Sequence, residues 1–238
     1  MTQVKNSGQE ILKYAKSSNS ECQFMEAISS CQQAFVAFLA AKDYDGAVLS
    51  LAEEVNTWLY LHTFEKENWF ARRAFSLAEM MRGMALEYDT SAQATSFASL
   101  YSGKVASALG IYNQSMDWFS AGLLDFQGQV FERSYWDLCY AEATVNFKHQ
   151  KGRTISEVDK GCFLLSLKNM QQNVDTVPLS LRQELLTSAY IKTANFYLQF
   201  DRPKCDEYLL RALCVCGQPG VAIVVRQEFE MFKMKVGS

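Results

Sequence analysis

Apolar side chains return every three or four residues along most of the chain, in stretches of roughly 13–22 residues. That is the spacing of helices with one buried face, and β-branched runs are short. The pattern predicts eleven helices, near 5–17, 20–41, 44–61, 66–87, 91–109, 113–126, 129–149, 155–173, 180–199, 203–216 and 221–235. Breaks fall at Asp43, Tyr88-Asp89-Thr90, Gly110, Gln127-Gly128, Lys151-Gly152-Arg153, Asp175-Thr176-Val177-Pro178, Asp201 and Gly217-Gln218-Pro219-Gly220. Val221-Ala222-Ile223-Val224-Val225 could form a short strand, but its continuation through Phe229, Met231 and Phe232 predicts a C-terminal capping helix. Helix starts are expected at four S/T-x-x-E/Q boxes: Ser7 with Glu10, Ser18 with Glu21, Thr154 with Glu157, and Ser180 with Gln183.

One kind of break recurs. Ala40-Ala41-Lys42-Asp43-Tyr44-Asp45-Gly46-Ala47 and Ala108-Leu109-Gly110-Ile111-Tyr112-Asn113-Gln114-Ser115 each end a helix on a small residue, turn, and open the next helix with tyrosine. A looser copy runs Gln199-Phe200-Asp201-Arg202-Pro203-Lys204-Cys205. Repeated units of this kind cannot bury their apolar faces alone, so stacking is expected. With no linker long enough to divide it, the chain reads as one helical repeat domain over 1–238.

Composition narrows the class. At 49% hydrophobic and 21% charged the chain is not a disordered one. A net charge of −3 lacks the basic surface that phosphate recognition needs, so no nucleic-acid partner is expected. The odd count of seven cysteines, mostly on apolar helix faces, reads as free thiols in a reducing compartment. With no signal-peptide pattern and no apolar run of spanning length, the expectation is an intracellular, cytoplasmic protein with no membrane partner, the nucleus remaining open.

Over roughly residues 20–60, 91–127 and 180–216 the chain resembles the tetratricopeptide repeat superfamily. The resemblance rests on Gly103, Gly110, Tyr112, Ser115, Phe119 and Gly122-Leu123 in one unit. Phe38, Tyr44, Ala47 and Leu51 carry it in another, and Phe196, Cys205, Leu209 and Ala212-Leu213 in a third. It implies an all-α superhelix, a solenoid of about eleven antiparallel hairpin helices, with first helices lining a concave groove. Groove positions would be Ser29, Gln32, Val36 and Leu39, then Phe97, Leu100, Lys104 and Ser107, then Thr187, Tyr190, Ala194 and Tyr197. Family members that clamp a chaperone's terminal carboxylate need several cations there, and only Lys104 qualifies. The mostly apolar set suits an amphipathic helix or extended apolar segment of another protein. Its aromatics could equally be core between repeats.

Other candidates have plainer readings. Trp58 and Tyr60, Trp69 and Phe70, Trp118 and Phe119, and Tyr135 and Trp136 lie close together on helices. Adjacent residues diverge by about 100° around a helix, so one member of such a pair is exposed unless the helix is wrapped on two sides. Cys205, Cys214 and Cys216 lack the histidines and spacing of a zinc site. His62 and His149 stand without a nucleophile elbow, phosphate loop or H-E-x-x-H helix. Lys148-His149-Gln150-Lys151-Gly152-Arg153 reads as a solvated helix end. The expectation is a non-enzymatic interaction module with no cofactor or metal; the alternative is a structural subunit of a larger assembly.

Overall fold

The computed structural model describes residues 2–198 and 201–237, with side chains from Ser7 onward. Among the described residues it is all-α, with eleven helices and no strand. They are α1 (Thr2–Ser20), α2 (Phe24–Ala40), α3 (Tyr44–Glu65), α4 (Asn68–Glu87), α5 (Ala92–Ala108), α6 (Tyr112–Leu124), α7 (Val130–Gln150), α8 (Glu157–Gln172), α9 (Leu179–Tyr197), α10 (Arg202–Cys216) and α11 (Ile223–Gly237). Val224 and Val225 belong to α11 and not to a strand. Gln199 and Phe200, which begin the third copy of the recurring break, lie outside the described residues, as does Ser238. Just beyond them, the Asp201 carboxylate accepts from Lys204 N at 3.1 Å to cap α10.

The recurring break is a Schellman ending. Asp43 N donates to Phe38 O at 2.9 Å and Ile111 N to Ala106 O at 2.8 Å, closing α2 and α5. The same bond closes α1, from Gln23 N to Ser18 O at 2.8 Å, and α7, from Arg153 N to Lys148 O at 2.9 Å. Each needs one residue at positive φ, supplied by Lys42 (54°), Gly110 (73°), Cys22 (63°) and Gly152 (63°). With Cys22 in place of glycine, the α1–α2 turn lies at 21–23, a few residues later than the break the sequence suggests. A Cβ on Gly110 would meet nothing within 4 Å, so the cost of a side chain there is purely conformational. Gly110→Ala is therefore expected to lower stability by about 1 kcal/mol in a urea titration, and Lys42→Gly to shift it the other way.

None of the four expected capping boxes starts a helix. Ser7 lies inside α1, and Ser18 is buried in the last turn of α1. α8 is capped two residues after Thr154, at Ser156. There Ser156 Oγ accepts from Asp159 N at 3.3 Å, and Asp159 Oδ2 accepts from Ser156 N at 2.8 Å. α9 starts directly after Pro178, leaving Ser180 within its first turn. A cap contributes about 1 kcal/mol, and at buried Ser18 continued packing of α1 overrides it.

The helices group into two compact units, Met1–Gln127 and Gly128–Ser238. In the first, α3 packs beside both α1 and α5, so the odd-numbered helices form a layer. α2 lies against α1 and α3, α4 against α3 and α5, and α6 against α5. Leu12, Phe38, Leu51, Val55, Trp58, Leu77 and Met81 belong to one continuous core. The Phe38 ring is wedged between helices: a Cβ on Gly8 of α1 would stand 3.0 Å from it, and one on Gly46 of α3 would overlap it.

The α5–α6 hairpin closes through small residues. A Cβ on Gly103 would stand 2.8 Å from the Phe119 ring. Buried Ser115 Oγ donates to Gly103 O, and buried Ser96 Oγ donates to Gly122 O, each at 2.8 Å. Thus Gly103 O, inside α5, accepts a bond across the hairpin, and Gly122 O, in the last turn of α6, finds in Ser96 a partner that the helix end does not supply. In the second unit, α7 pairs with α8 and α9 with α10, while α9 also packs beside α7 and α11. Phe131, Leu138, Phe163, Met170 and Phe229 are buried there.

Candidate interaction face

Helical spacing sets two stripes side by side in the odd-numbered layer of the first unit. Asn56, Tyr60 and Phe64 recur at four-residue intervals on α3, and Phe97, Tyr101 and Lys104 share one side of α5. Phe24, which opens α2, lies 5.5 Å from Phe64 and 6.3 Å from Tyr60, ring centre to ring centre. Tyr60 and Phe64 stack at 6.2 Å. Lys104 Nζ sits 5.9 Å from the rings of both Tyr60 and Tyr101 and donates to Asn56 Oδ1 at 2.7 Å. Tyr101 and Phe97 lie 6.3 Å apart, and Phe97 meets Phe126 edge to face at 6.1 Å.

Phe24, Tyr60, Phe64, Phe97 and Tyr101 are all half-buried. Each ring has one side fixed by neighbours and another available to a ligand. Contacts of this type contribute about 0.5–1.5 kcal/mol per pair beyond burial, enough to hold the rings in place before anything binds. The cation held between two tyrosines gives the face a single defined positive point.

The expected groove is only partly assembled. Phe97 and Lys104 belong to the face, with Ser107 half-buried further along α5. Leu100 is fully buried, packed where a Cβ on Gly122 would stand 2.7 Å from its Cγ. Thr187 and Ala194 are likewise fully buried, and Tyr190 and Tyr197 are 9% and 4% exposed. These five are core residues and not groove residues. Tyr197 stacks on Tyr208 at 5.8 Å, and Gln171 Nε2 donates to the Tyr190 hydroxyl at 3.2 Å.

Ser29, Gln32, Val36 and Leu39 are exposed on α2, but α2 lies outside the layer that carries α5. The reason is parity. Residues 68–87 form one long helix without an internal turn, so three helices and not four separate Tyr44 from Tyr112. Tyr44 opens an odd-numbered helix and Tyr112 an even-numbered one. Helices that look equivalent in sequence therefore alternate between layers. Gln32 instead reaches inward, its Nε2 donating to buried Glu54 Oε1 at 3.0 Å, which also accepts from Trp58 Nε1 at 3.3 Å.

Sequence reasoning missed Phe24, Asn56, Phe64 and Tyr101. The four-residue spacing of Tyr60 with Phe64 and of Phe97 with Tyr101 was the available signal. It also missed a regular device: polar rungs joining neighbouring helices of the odd layers. Asn19 Nδ2 donates to Glu53 Oε1 at 2.9 Å between α1 and α3, as Lys104 does to Asn56 between α3 and α5. In the second unit, Lys192 Nζ meets Glu142 Oε2 at 2.6 Å between α9 and α7, and Lys235 Nζ donates to Asn195 Oδ1 at 3.0 Å between α11 and α9.

Glu142 and Lys192 line a cleft with Val145, Asn146, His149, Ile155, Phe163, Asn195 and Phe196. Burial alone would lower Lys192, but the adjacent Glu142 carboxylate outweighs it and holds the ammonium well above the usual lysine range. His62 Nδ1 lies 3.1 Å from Glu67 O, at the end of α3. Burial, followed by the nearby Glu53 and Glu54 charges, pushes the Cys31 thiol far up. Burial likewise raises Cys205 and Cys216, which suits packed and unreactive thiols. Among the described residues no group of three or more His, Cys, Asp or Glu side chains is placed to hold a metal ion.

Of the aromatic pairs noted in the sequence, Trp118 with Phe119 and Tyr135 with Trp136 are wholly buried. Trp58 is buried and Tyr60 half-buried, whereas Trp69 is 53% exposed beside half-buried Phe70. No family model, no curated protein and no solved structure matches this chain.

Proposed function

We propose that this chain is a non-enzymatic protein–protein interaction module of the tetratricopeptide-repeat kind, working inside the cell. Its α3–α5 face takes an apolar segment, or one side of an amphipathic helix, from another protein. The observation that carries this reading is the run of half-buried rings Phe24, Phe64, Tyr60, Tyr101 and Phe97, bridged by Lys104 and backed at its far end by buried Phe126. Rings already fixed by their neighbours lose little freedom on binding, and a cation among them sets the register of the bound segment. The nested α5–α6 hairpin and the shared helix endings support the repeat assignment. Among the described residues no helix is long and apolar enough to cross a membrane.

The test is capture of a partner from native lysate by the full chain, compared with the Phe97→Ala/Tyr101→Ala variant. Capture is expected to fall roughly thirtyfold in that variant and to survive Leu165→Ala, at an exposed position of α8. Lys104→Glu is expected to weaken the same interaction. Equal capture by every variant would remove the face from the account.

A permanent place in a larger assembly is the second reading, favoured by Leu86 and Leu124, which are 79% and 82% exposed. A sizing column separates the two. An adaptor runs as a monomer, whereas a subunit lacking its neighbours self-associates.

A further inference from the structure

We infer that Trp69, Arg72 and Arg73 on α4 form a second docking patch, one that takes an acidic segment of another protein carrying an aliphatic side chain. Position sets it apart from the α3–α5 face: all three residues lie in the first two turns of α4, three and four residues apart, on its exposed side. Trp69 is 53% exposed, yet it is not loose. Its ring lies 4.1 Å from Phe70 and 5.5 Å, edge-on, from buried Trp58. An exposed indole held this way is an anchor whose ordering cost has already been met by folding.

Charge decides the partner. The guanidinium groups of Arg72 and Arg73 have no ion-pair partner among the described residues. Glu79, further along this exposed side, is committed to Arg82 at 3.2 Å. Two cations beside a fixed indole match a carboxylate-bearing segment with an apolar residue, since tryptophan and arginine are the side chains on which binding energy concentrates. The exposed side continues through Ser76 to exposed Met80, which extends the apolar contact by one more helical turn.

The experiment pans a displayed library of random peptides, each about twelve residues long, against the full chain. Enriched peptides are expected to carry Asp or Glu beside Leu, Ile or Val. Trp69→Ala is expected to weaken the best of them at least roughly tenfold. The Arg72→Glu/Arg73→Glu variant, which leaves the rings untouched, is expected to enrich basic peptides in place of acidic ones. Binding is expected to persist in Phe97→Ala/Tyr101→Ala, which separates this patch from the α3–α5 face. The inference is overturned by any of three results: no enrichment of acidic peptides, an unchanged preference after charge reversal, or Trp69-dependent binding of single-stranded oligonucleotide or anionic vesicles with no peptide bound.

Discussion

Phe38→Ala is expected to lower the stability of the first unit by about 3–5 kcal/mol, the largest effect of any single substitution described here. The ring is 2% exposed and contacts three helices at once, since α2 delivers it into the space left open by Gly8 of α1 and Gly46 of α3. Removing it leaves a cavity that backbone on both sides cannot collapse into without moving whole helices. Urea unfolding followed by circular dichroism gives the number, provided the slope with denaturant is unchanged. A loss under about 1 kcal/mol would mean that the ring does not hold α1 to α3.

Gly103→Leu is expected to lower stability by about 1–3 kcal/mol through overpacking. Even a Cβ would stand 2.8 Å from the Phe119 ring, and α5 cannot retreat without stretching the bond from Ser115 Oγ to Gly103 O. A thermodynamic cycle makes the cause specific. Gly103→Ala in the parent is expected to cost about 0.5–3 kcal/mol more than in a Phe119→Leu background, where the ring is gone. Additive effects would show that the glycine is not there to admit phenylalanine. A melting temperature equal to the parent's in Gly103→Leu would contradict the hairpin outright.

How much of this was legible in the chain depends on the range of the signal. Apolar periodicity located all eleven helices, because each buries one face and that requirement repeats every turn. The close-packed set of Gly103, Ser115, Phe119 and Gly122 was readable through the tetratricopeptide resemblance, which sets small residues opposite a large one at these positions. Cap signals failed: Ser18 is buried inside α1, where packing outweighs a cap, and Ser156 with Asp159 forms the box that Thr154 with Glu157 was expected to form. The α1–α2 turn was placed too early, between 17 and 20, because Cys22 adopts a conformation that glycine usually announces.

The face was the least legible part. Which layer a helix joins depends on how many helices precede it, and one unbroken helix over residues 68–87 reversed the assignment of α5 relative to α2. Leu100 and Ala194 have the spacing of groove residues but are fully buried, Leu100 against Gly122 of α6. Lys104 and Asn56 are 48 residues apart, and Lys192 and Glu142 are 50, so nothing local announces either rung.

Site-specific photo-crosslinking tests the central claim, that the α3–α5 face of the first unit is where another protein sits. A benzophenone amino acid replaces Tyr101 in the full chain, and in a parallel sample Leu165 on α8. Irradiation in native lysate is expected to join the Tyr101 position to a partner protein and to yield no adduct with that partner from the Leu165 position. Adducts from Leu165 alone, or from neither position, would contradict the account.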